Sequence, residues 1–346
     1  MKLLIVRLGA LGDIVHAVPV AVALRDAYPD AQIDWVVSAR HRPVLDLVSV
    51  LDRHIVVDDR GQGIGGLPVT AAIGELRRTG YDIAIDLQGL MKSALLARLS
   101  GASRVIGFTS RYARESLASL FYTERYDPGG PGLFAAGETR HVVRINLGIL
   151  SQLGIEVAAP VFGLRAPQSV TVANAIARAG RWFALLNPGA AWPNKRWPAE
   201  RFGALAPALR ERHGLASIVL WGPGEHTLAE DVVNASGGYA TLAPPTAIAD
   251  VAALAGAAAV MVSGDTGPAH IASAMGTRFV GIYGPTRPER NGPLGHSDQV
   301  VSRAQVCECH HRRQCRRRSM CLLDIETDEV LDAISRRLTA AGRPRG

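Results

Sequence analysis

Cysteine is nearly absent from this 346-residue chain, and what there is lies in one stretch: Cys307, Cys309, Cys315 and Cys321. A disulfide framework spread through the fold is therefore excluded. Aromatic residues are sparse at 5%, and no recognisable nucleic-acid-binding motif occurs, so nucleic acid is not expected as a partner. No apolar run reaches the ~20 residues that span a bilayer. The opening Met1–Arg7 is too short for a signal peptide and reads as a first strand, so a cytoplasmic location is expected. Lysine is the scarcest charge: of 38 basic residues only Lys2, Lys92 and Lys195 are lysine. A chain that defaults to arginine keeps lysine where a compact point charge matters. Lys2 follows the initiating methionine and needs no such reason, which singles out Lys92 and Lys195, with chance survival as the alternative.

The composition that remains describes a globular protein. Hydrophobic residues make up 48% and charged residues 20%, enough for a large core, and the length suits two domains. The formal charge of +7 favours an anionic partner. Short β-branched runs alternate with helical periodicity along the chain. Strands are expected at Leu3–Leu8, Gln32–Val37, His54–Val57, Asp82–Leu87 and Arg104–Phe108, with helices at Pro43–Val50, Val69–Arg78, Met91–Leu99 and Glu138–Gln152. A proline-bearing stretch without a core pattern, Pro160–Ser169, marks a linker. A second series follows: strands at Phe183–Leu186, Ser217–Leu220, Ala257–Val262 and Arg278–Ile282, with helices from Pro198, Glu225 and Thr246. This alternation predicts α/β architecture, with parallel sheets covered on both faces and ligands at the carboxyl ends of strands. The expected division is residues 1–160, 161–326 and a final amphipathic helix within 327–346.

The segment Val262-Ser263-Gly264-Asp265-Thr266-Gly267-Pro268-Ala269-His270 stands out. A buried strand runs into a small-residue turn and then a short helix closed by Gly276, with Pro268 near the first helical position. Free amides at Thr266 and Gly267, aided by the helix dipole, suit a phosphate. An ordinary strand–turn–helix corner is the alternative, but Asp265, Thr266 and His270 crowd one turn. Two other strand ends in this half, Trp221–Glu225 and Tyr283–Thr286, are also small or polar, as is the loop Asn187–Pro198 that carries Lys195. In the first half, Gly9–Asp13 and Gln88–Ser93 lie at strand ends. Asp13 falls at an expected helix N-cap. The spacing G-x-x-G-D is not a dinucleotide fingerprint, so a nicotinamide cofactor is not expected. Arg111, Arg114, Arg125 and His141 come from the following loops and a helix start, where a solvated rim is the alternative role. The four cysteines, with His310 and His311 among them, allow a structural metal, although the spacing is not that of a standard zinc knuckle.

Several of these segments, taken in order, resemble the ADP-heptose:lipopolysaccharide heptosyltransferases, glycosyltransferase family 9, over Met1 to about Gly295. They are Gly12-Asp13-Ile14-Val15-His16, Asp86–Ala94, Ala113–Tyr122, Lys195-Arg196-Trp197-Pro198, Ser263–His270 and Tyr283-Gly284-Pro285-Thr286. The likeness is greatest to the heptosyltransferase I branch. It implies a GT-B fold, two Rossmann-like domains facing across a cleft, with the final helix returning to the first domain. It also implies transfer of heptose, with inversion, from ADP-L-glycero-D-manno-heptose to a Kdo residue of the lipopolysaccharide inner core. The acceptor would be met at the inner-membrane surface on its cytoplasmic face. By the same resemblance Asp13 is the general base, Lys195, Thr266 and Gly267 hold the diphosphate, Asp265 contacts the sugar and Glu225 the ribose. His270 joins the donor set. Lys92, Arg114 and His141 meet the acceptor, along with Arg60, which stands with Gly61–Gly66 where first-branch relatives carry several basic residues. The cysteine segment looks more like other members of family 9.

The residues agree with that chemistry. A single displacement needs one carboxylate to deprotonate the acceptor and stabilisation for the departing diphosphate. The chain has no Asp-x-Asp pair to carry a metal there, so no cofactor is expected and Lys195 with the amides would do that work. Other sugar nucleotides or acceptors within the family, a non-catalytic nucleotide-binding protein and a GT-B sugar-nucleotide epimerase are the competing readings.

Overall fold

The computed structural model describes every residue except Gln62, Ile64, Glu308, His310, His311, Arg316 and 341–346. The chain divides into two compact units, Met1–Arg165 and Ala166–Gly346. The division falls inside the stretch expected as a linker.

The first unit carries strands β1 (Lys2–Val6), β2 (Gln32–Ser38), β3 (Arg53–Val57), β4 (Ile83–Asp86), β5 (Arg104–Phe108) and β6 (Glu124–Tyr126). They form one six-stranded sheet in the order β3-β2-β1-β4-β5-β6, parallel at every pairing. Leu3 to Val6 are wholly buried, as a central strand covered on both faces requires. The second unit repeats the plan with β7 (Phe183–Asn187), β8 (Ala216–Val219), β9 (Ala240–Leu242), β10 (Val260–Gly264), β11 (Phe279–Tyr283) and β12 (Gln299–Ser302). Its order is β12-β11-β10-β7-β8-β9, again parallel throughout. Both sheets thus have Rossmann order, with the strand sequence reversing beside β1 in one unit and beside β7 in the other. Ligands bind at such reversals, outside the carboxyl ends of the strands.

The final helix, Thr327–Thr339, belongs to the second unit and sinks Val330, Leu331, Ala333 and Ile334 into that unit's own core, against β11, β12 and the helix Ala199–His213. Each buried Val, Leu or Ile side chain there contributes ~1.5–3 kcal/mol before entropy is counted.

Differences from the expected elements have local causes. Ala39–Leu47 is a 3-10 segment rather than a helix over 43–50, because Pro43 sits inside it and cannot donate. The expected helix 138–152 is α-helical only over Val142–Gly148 and continues as a 3-10 turn at Ile149–Leu153. The helix after the Gly9–Asp13 turn is two pieces, Leu11–Val15 and Val18–Ala27, the second with Pro19 in its first turn. β6, β9 and β12 had no strand signal; all lie at sheet edges, where half-exposure removes the need for an apolar run.

Candidate active site

In the first unit the strand reversal between β1 and β4 carries a charged cluster. Asp13 is the third residue of helix Leu11–Val15 rather than its N-cap, which is Ala10. Its Oδ2 accepts the Ala10 backbone N–H at 3.2 Å and pairs with Arg7 Nη2 at 3.0 Å and Arg114 Nη1 at 3.2 Å. Burial would push this carboxyl up, but Arg7 and then Arg114 outweigh it and hold it below the usual range. Asp13 is therefore ionised at neutral pH.

A buried carboxylate builds the adjoining loop. Asp86, at the end of β4, accepts the backbone N–H of Gln88 at 2.8 Å and of Gly89 at 3.3 Å, and hydroxyls from Ser93 and Tyr122 at 2.8 Å each. Gln88 in turn accepts the Leu8 N–H at 2.6 Å, locking the loop after β4 to the loop after β1. Gly89 adopts φ +67°, and a Cβ there would stand 3.0 Å from Ala113 Cα and Arg114 N. The glycine thus lets the Arg114 segment pack directly on the loop.

Lys92 pairs with Asp59, whose Oδ1 also accepts from Ser38 Oγ at 2.5 Å. Burial opposes ionisation of Asp59, but Lys92, Ser38 and the charge of Arg60 prevail and keep its pKa low. His41 lies within the electrostatic reach of both groups. It lies against Gly9, where a Cβ would stand 2.5 Å from its ring, and it feels Arg40, Arg60, Asp59 and Asp13. Burial, then Arg40 and Arg60, hold it neutral at pH 7. His141 caps helix Val142–Gly148, its Nδ1 accepting the Val143 N–H at 3.2 Å, and its ring meets His16 edge-on at 5.5 Å. The structure thus brings Asp13 and Arg114 into direct contact and gathers Lys92 and Arg60 around Asp59. His141 packs on His16 instead. Arg7, His41 and Asp59 were not identified from the sequence.

In the second unit the reversal lies between β7 and β10. Asp265 follows β10, with Oδ2 2.6 Å from Lys195 Nζ and Oδ1 3.1 Å from His270 Nε2. Burial would raise its pKa, but the hydrogen bond from His270 and the charge of Lys195 drive it far below the ordinary carboxylate range. Lys195 is only 14% exposed and lies 4.4 Å from the centre of the Trp192 ring. A solvated surface lysine is thereby ruled out. Thr266 is the N-cap of helix Gly267–Ala274; its hydroxyl accepts the Ala269 N–H at 3.3 Å, and Pro268 lies in the first turn as expected. The first amides of such a helix have no intrahelical acceptor and face outward as an anion site. Asn187, at the end of β7, donates to Ser263 Oγ at 2.8 Å and Thr266 Oγ1 at 3.0 Å, tying the two strand ends together. Glu225 precedes helix His226–Ala235 and accepts the Gly222 N–H at 3.1 Å; a Cβ on Gly189 would stand 2.1 Å from its carboxylate. Glu225 therefore fills the space between the ends of β7 and β8.

Cys307, Cys309 and Cys321 are buried together with Cys315 packed against them, and Cys309 Sγ donates to Cys315 Sγ at 3.0 Å. Among the described residues no group of three or more His, Cys, Asp or Glu is arranged to hold a metal ion. His310 and His311 lie outside the described residues. No helix among the described residues is long and apolar enough to cross a membrane.

Two units, each built on a parallel six-stranded sheet of Rossmann order, define the class: a GT-B protein. The profile of glycosyltransferase family 9 (heptosyltransferase) matches residues 69–320, and the chain belongs to that family. It is 31% identical over 322 residues to lipopolysaccharide heptosyltransferase 1 of Pseudomonas aeruginosa, covering 91% of this chain and 87% of that protein. The Escherichia coli K12 enzyme of the same name is 28% identical over 319 residues, covering 88% and 94%. Among solved structures, E. coli heptosyltransferase WaaC with ADP-2-deoxy-2-fluoro heptose is 25% identical with a TM-score of 0.73, covering 97% of this chain and 99% of that one. The same enzyme with ADP superposes with a TM-score of 0.76 at 24% identity, covering 97% and 100%.

Proposed function

We propose that this transferase moves heptose, with inversion, from ADP-L-glycero-D-manno-heptose to a Kdo residue of the lipopolysaccharide inner core. The observation that carries the donor is the likeness, over nearly the whole chain, to a heptosyltransferase solved with a fluorinated ADP-heptose. The geometry supports roles for the residues. Asp13, ionised and at the rim of the first unit's sheet, takes the proton of the acceptor hydroxyl as its oxygen bonds to the anomeric carbon. The bond to the diphosphate breaks, and ADP leaves with the electron pair. Lys195 and the amides of Thr266 and Gly267 meet the charge that grows on the diphosphate, where preorganised donors are most effective. Because Lys195 is paired with Asp265, donor phosphate has to share or replace that carboxylate, and Asp265 with His270 is assigned to the sugar. Glu225 is assigned to the ribose.

On the acceptor side Lys92, Arg60 and Arg114 supply positive charge for a carboxylate-bearing sugar, and His141 completes the set. A lipid-linked acceptor would bring the enzyme to the cytoplasmic face of the inner membrane as a peripheral protein. The test is incubation with ADP-heptose and a Kdo-bearing lipid A, with other sugar nucleotides and an acceptor lacking Kdo as controls. The expected result is ADP release matched by a gain of one heptose in the lipid. Transfer from another sugar nucleotide at equal or higher rate, or transfer that does not need Kdo, would overturn the assignment.

A further inference from the structure

The carboxylate of Asp13 is bonded on one side only. Arg7 Nη2, Arg114 Nη1 and the Ala10 N–H all converge on Oδ2, and among the described residues no donor reaches Oδ1. The two arginines differ in how they are held. Arg7 is 6% exposed, its Nη1 donates to the Leu87 carbonyl just beyond β4, and its own carbonyl accepts Trp35 Nε1 from β2 at 3.0 Å. It is thus anchored to three adjacent strands at the middle of the sheet. Arg114 is 40% exposed and stands on the loop after β5, with freedom to leave. Arg7 is buried and Asp13 only half-buried, and leaving the buried guanidinium without its partner is costly, so the Arg7 pairing is the more durable of the two.

We propose that Arg7 is a positioning residue for transfer. It holds Asp13 through Oδ2 so that Oδ1 is the atom that receives the acceptor proton, and it keeps doing so when Arg114 exchanges from Asp13 onto the anionic acceptor. The inference rests on the reading of Asp13 as the base. Proton and electrons balance within the displacement already described: the hydroxyl proton goes to Oδ1, and the leaving electron pair goes to ADP. The charged groups facing Asp13 are Arg7 and Arg114, with His41 beside them and Asp86 behind Arg7. The arginine has a second effect: it keeps the half-buried carboxylate ionised, ready to accept a proton at neutral pH.

The test uses the full chain as wild type, Arg7→Lys, Arg7→Gln, Arg114→Gln and Asp13→Asn. Kinetics with ADP-heptose and the Kdo-bearing lipid are paired with NMR titration of 13C-carboxylate aspartate, in which Asp13→Asn identifies the Asp13 signal. Arg7→Gln should lower kcat by ~10²-fold, the scale of a misplaced general base, while acceptor KM changes little. Its Asp13 signal should titrate at higher pH, and the acid limb of kcat should move the same way. Arg7→Lys keeps a charge at that point and should recover part of both, which also covers the case in which the glutamine variant does not fold. Arg114→Gln should instead raise acceptor KM. The proposal is overturned if the Arg7 variants leave both kcat and the Asp13 titration unchanged, or if they raise acceptor KM as Arg114→Gln does. Should Asp13→Asn transfer heptose at the wild-type rate, the assignment of the base falls. The titration then still decides whether Arg7 governs that carboxylate.

Discussion

At the scale of the residue, the scarcity of lysine was the most informative signal. Lys92 and Lys195 both prove to be ion-paired, with Asp59 and Asp265, partners 33 and 70 positions away in the chain. Composition could mark the lysines because each stands out against a background of arginine. It could not mark Arg7, one arginine among many, nor Asp59 and His41, whose place depends on which strand ends adjoin. Lys195 yields a sharp expectation. Its ammonium is confined between the Asp265 carboxylate at 2.6 Å and the Trp192 ring at 4.4 Å. A planar guanidinium retains the charge but not the fit. Lys195→Arg should therefore lower kcat as well as raise donor KM, because charge on the diphosphate grows toward the transition state. Lys195→Ala should be worse, and Arg196→Lys mild, since Arg196 is bonded to the Ala190 carbonyl away from Asp265. Steady-state kinetics with the sugar nucleotide varied decide it; full kcat/KM in the Lys195→Arg enzyme would remove Lys195 from the donor site.

At the scale of the element, central strands were legible, and of the four edge strands only β3 was. β1, β4, β7 and β10 announce themselves as short apolar runs because each is buried on both faces. Turns were legible as positions but not as contacts. The loop Gln88–Ser93 was placed at a strand end from its pattern, yet the reason for its glycine is tertiary. Gly89 at φ +67° touches the backbone of Ala113 and Arg114, so a side chain meets both conformational strain and a 3.0 Å contact. Gly89→Ala is expected to destabilise the protein by ~1–3 kcal/mol. It should also raise acceptor KM, because the displaced segment carries Arg114. Chemical denaturation and acceptor-dependent kinetics check the two halves of this; an unchanged acceptor KM in a destabilised protein would separate the loop contact from the site.

At the scale of the whole molecule, the proposed reaction leaves the charge of the departing diphosphate to a lysine and helix amides, and the chain offers no Asp-x-Asp pair for a metal. Transfer in excess EDTA is expected to match the untreated rate, with metal content measured in parallel so that an ion retained at the cysteines is noticed. Activity lost to EDTA and restored specifically by Mg²⁺ or Mn²⁺ would contradict this. The sequence by itself determined the two-unit α/β plan and the family, and it marked Pro160–Ser169 as the linker, the stretch in which the two units divide. These depend on local periodicity, turn chemistry and scarcity, all carried by neighbours along the chain. Only the tertiary structure decided that Asp13 is bonded through one oxygen, that Lys195 is committed to Asp265, and that the final helix completes the second unit's core. Those facts depend on contacts such as Arg114 with Asp13, Lys195 with Asp265 and the last helix with β11 and β12, and no local pattern records which distant segments become neighbours.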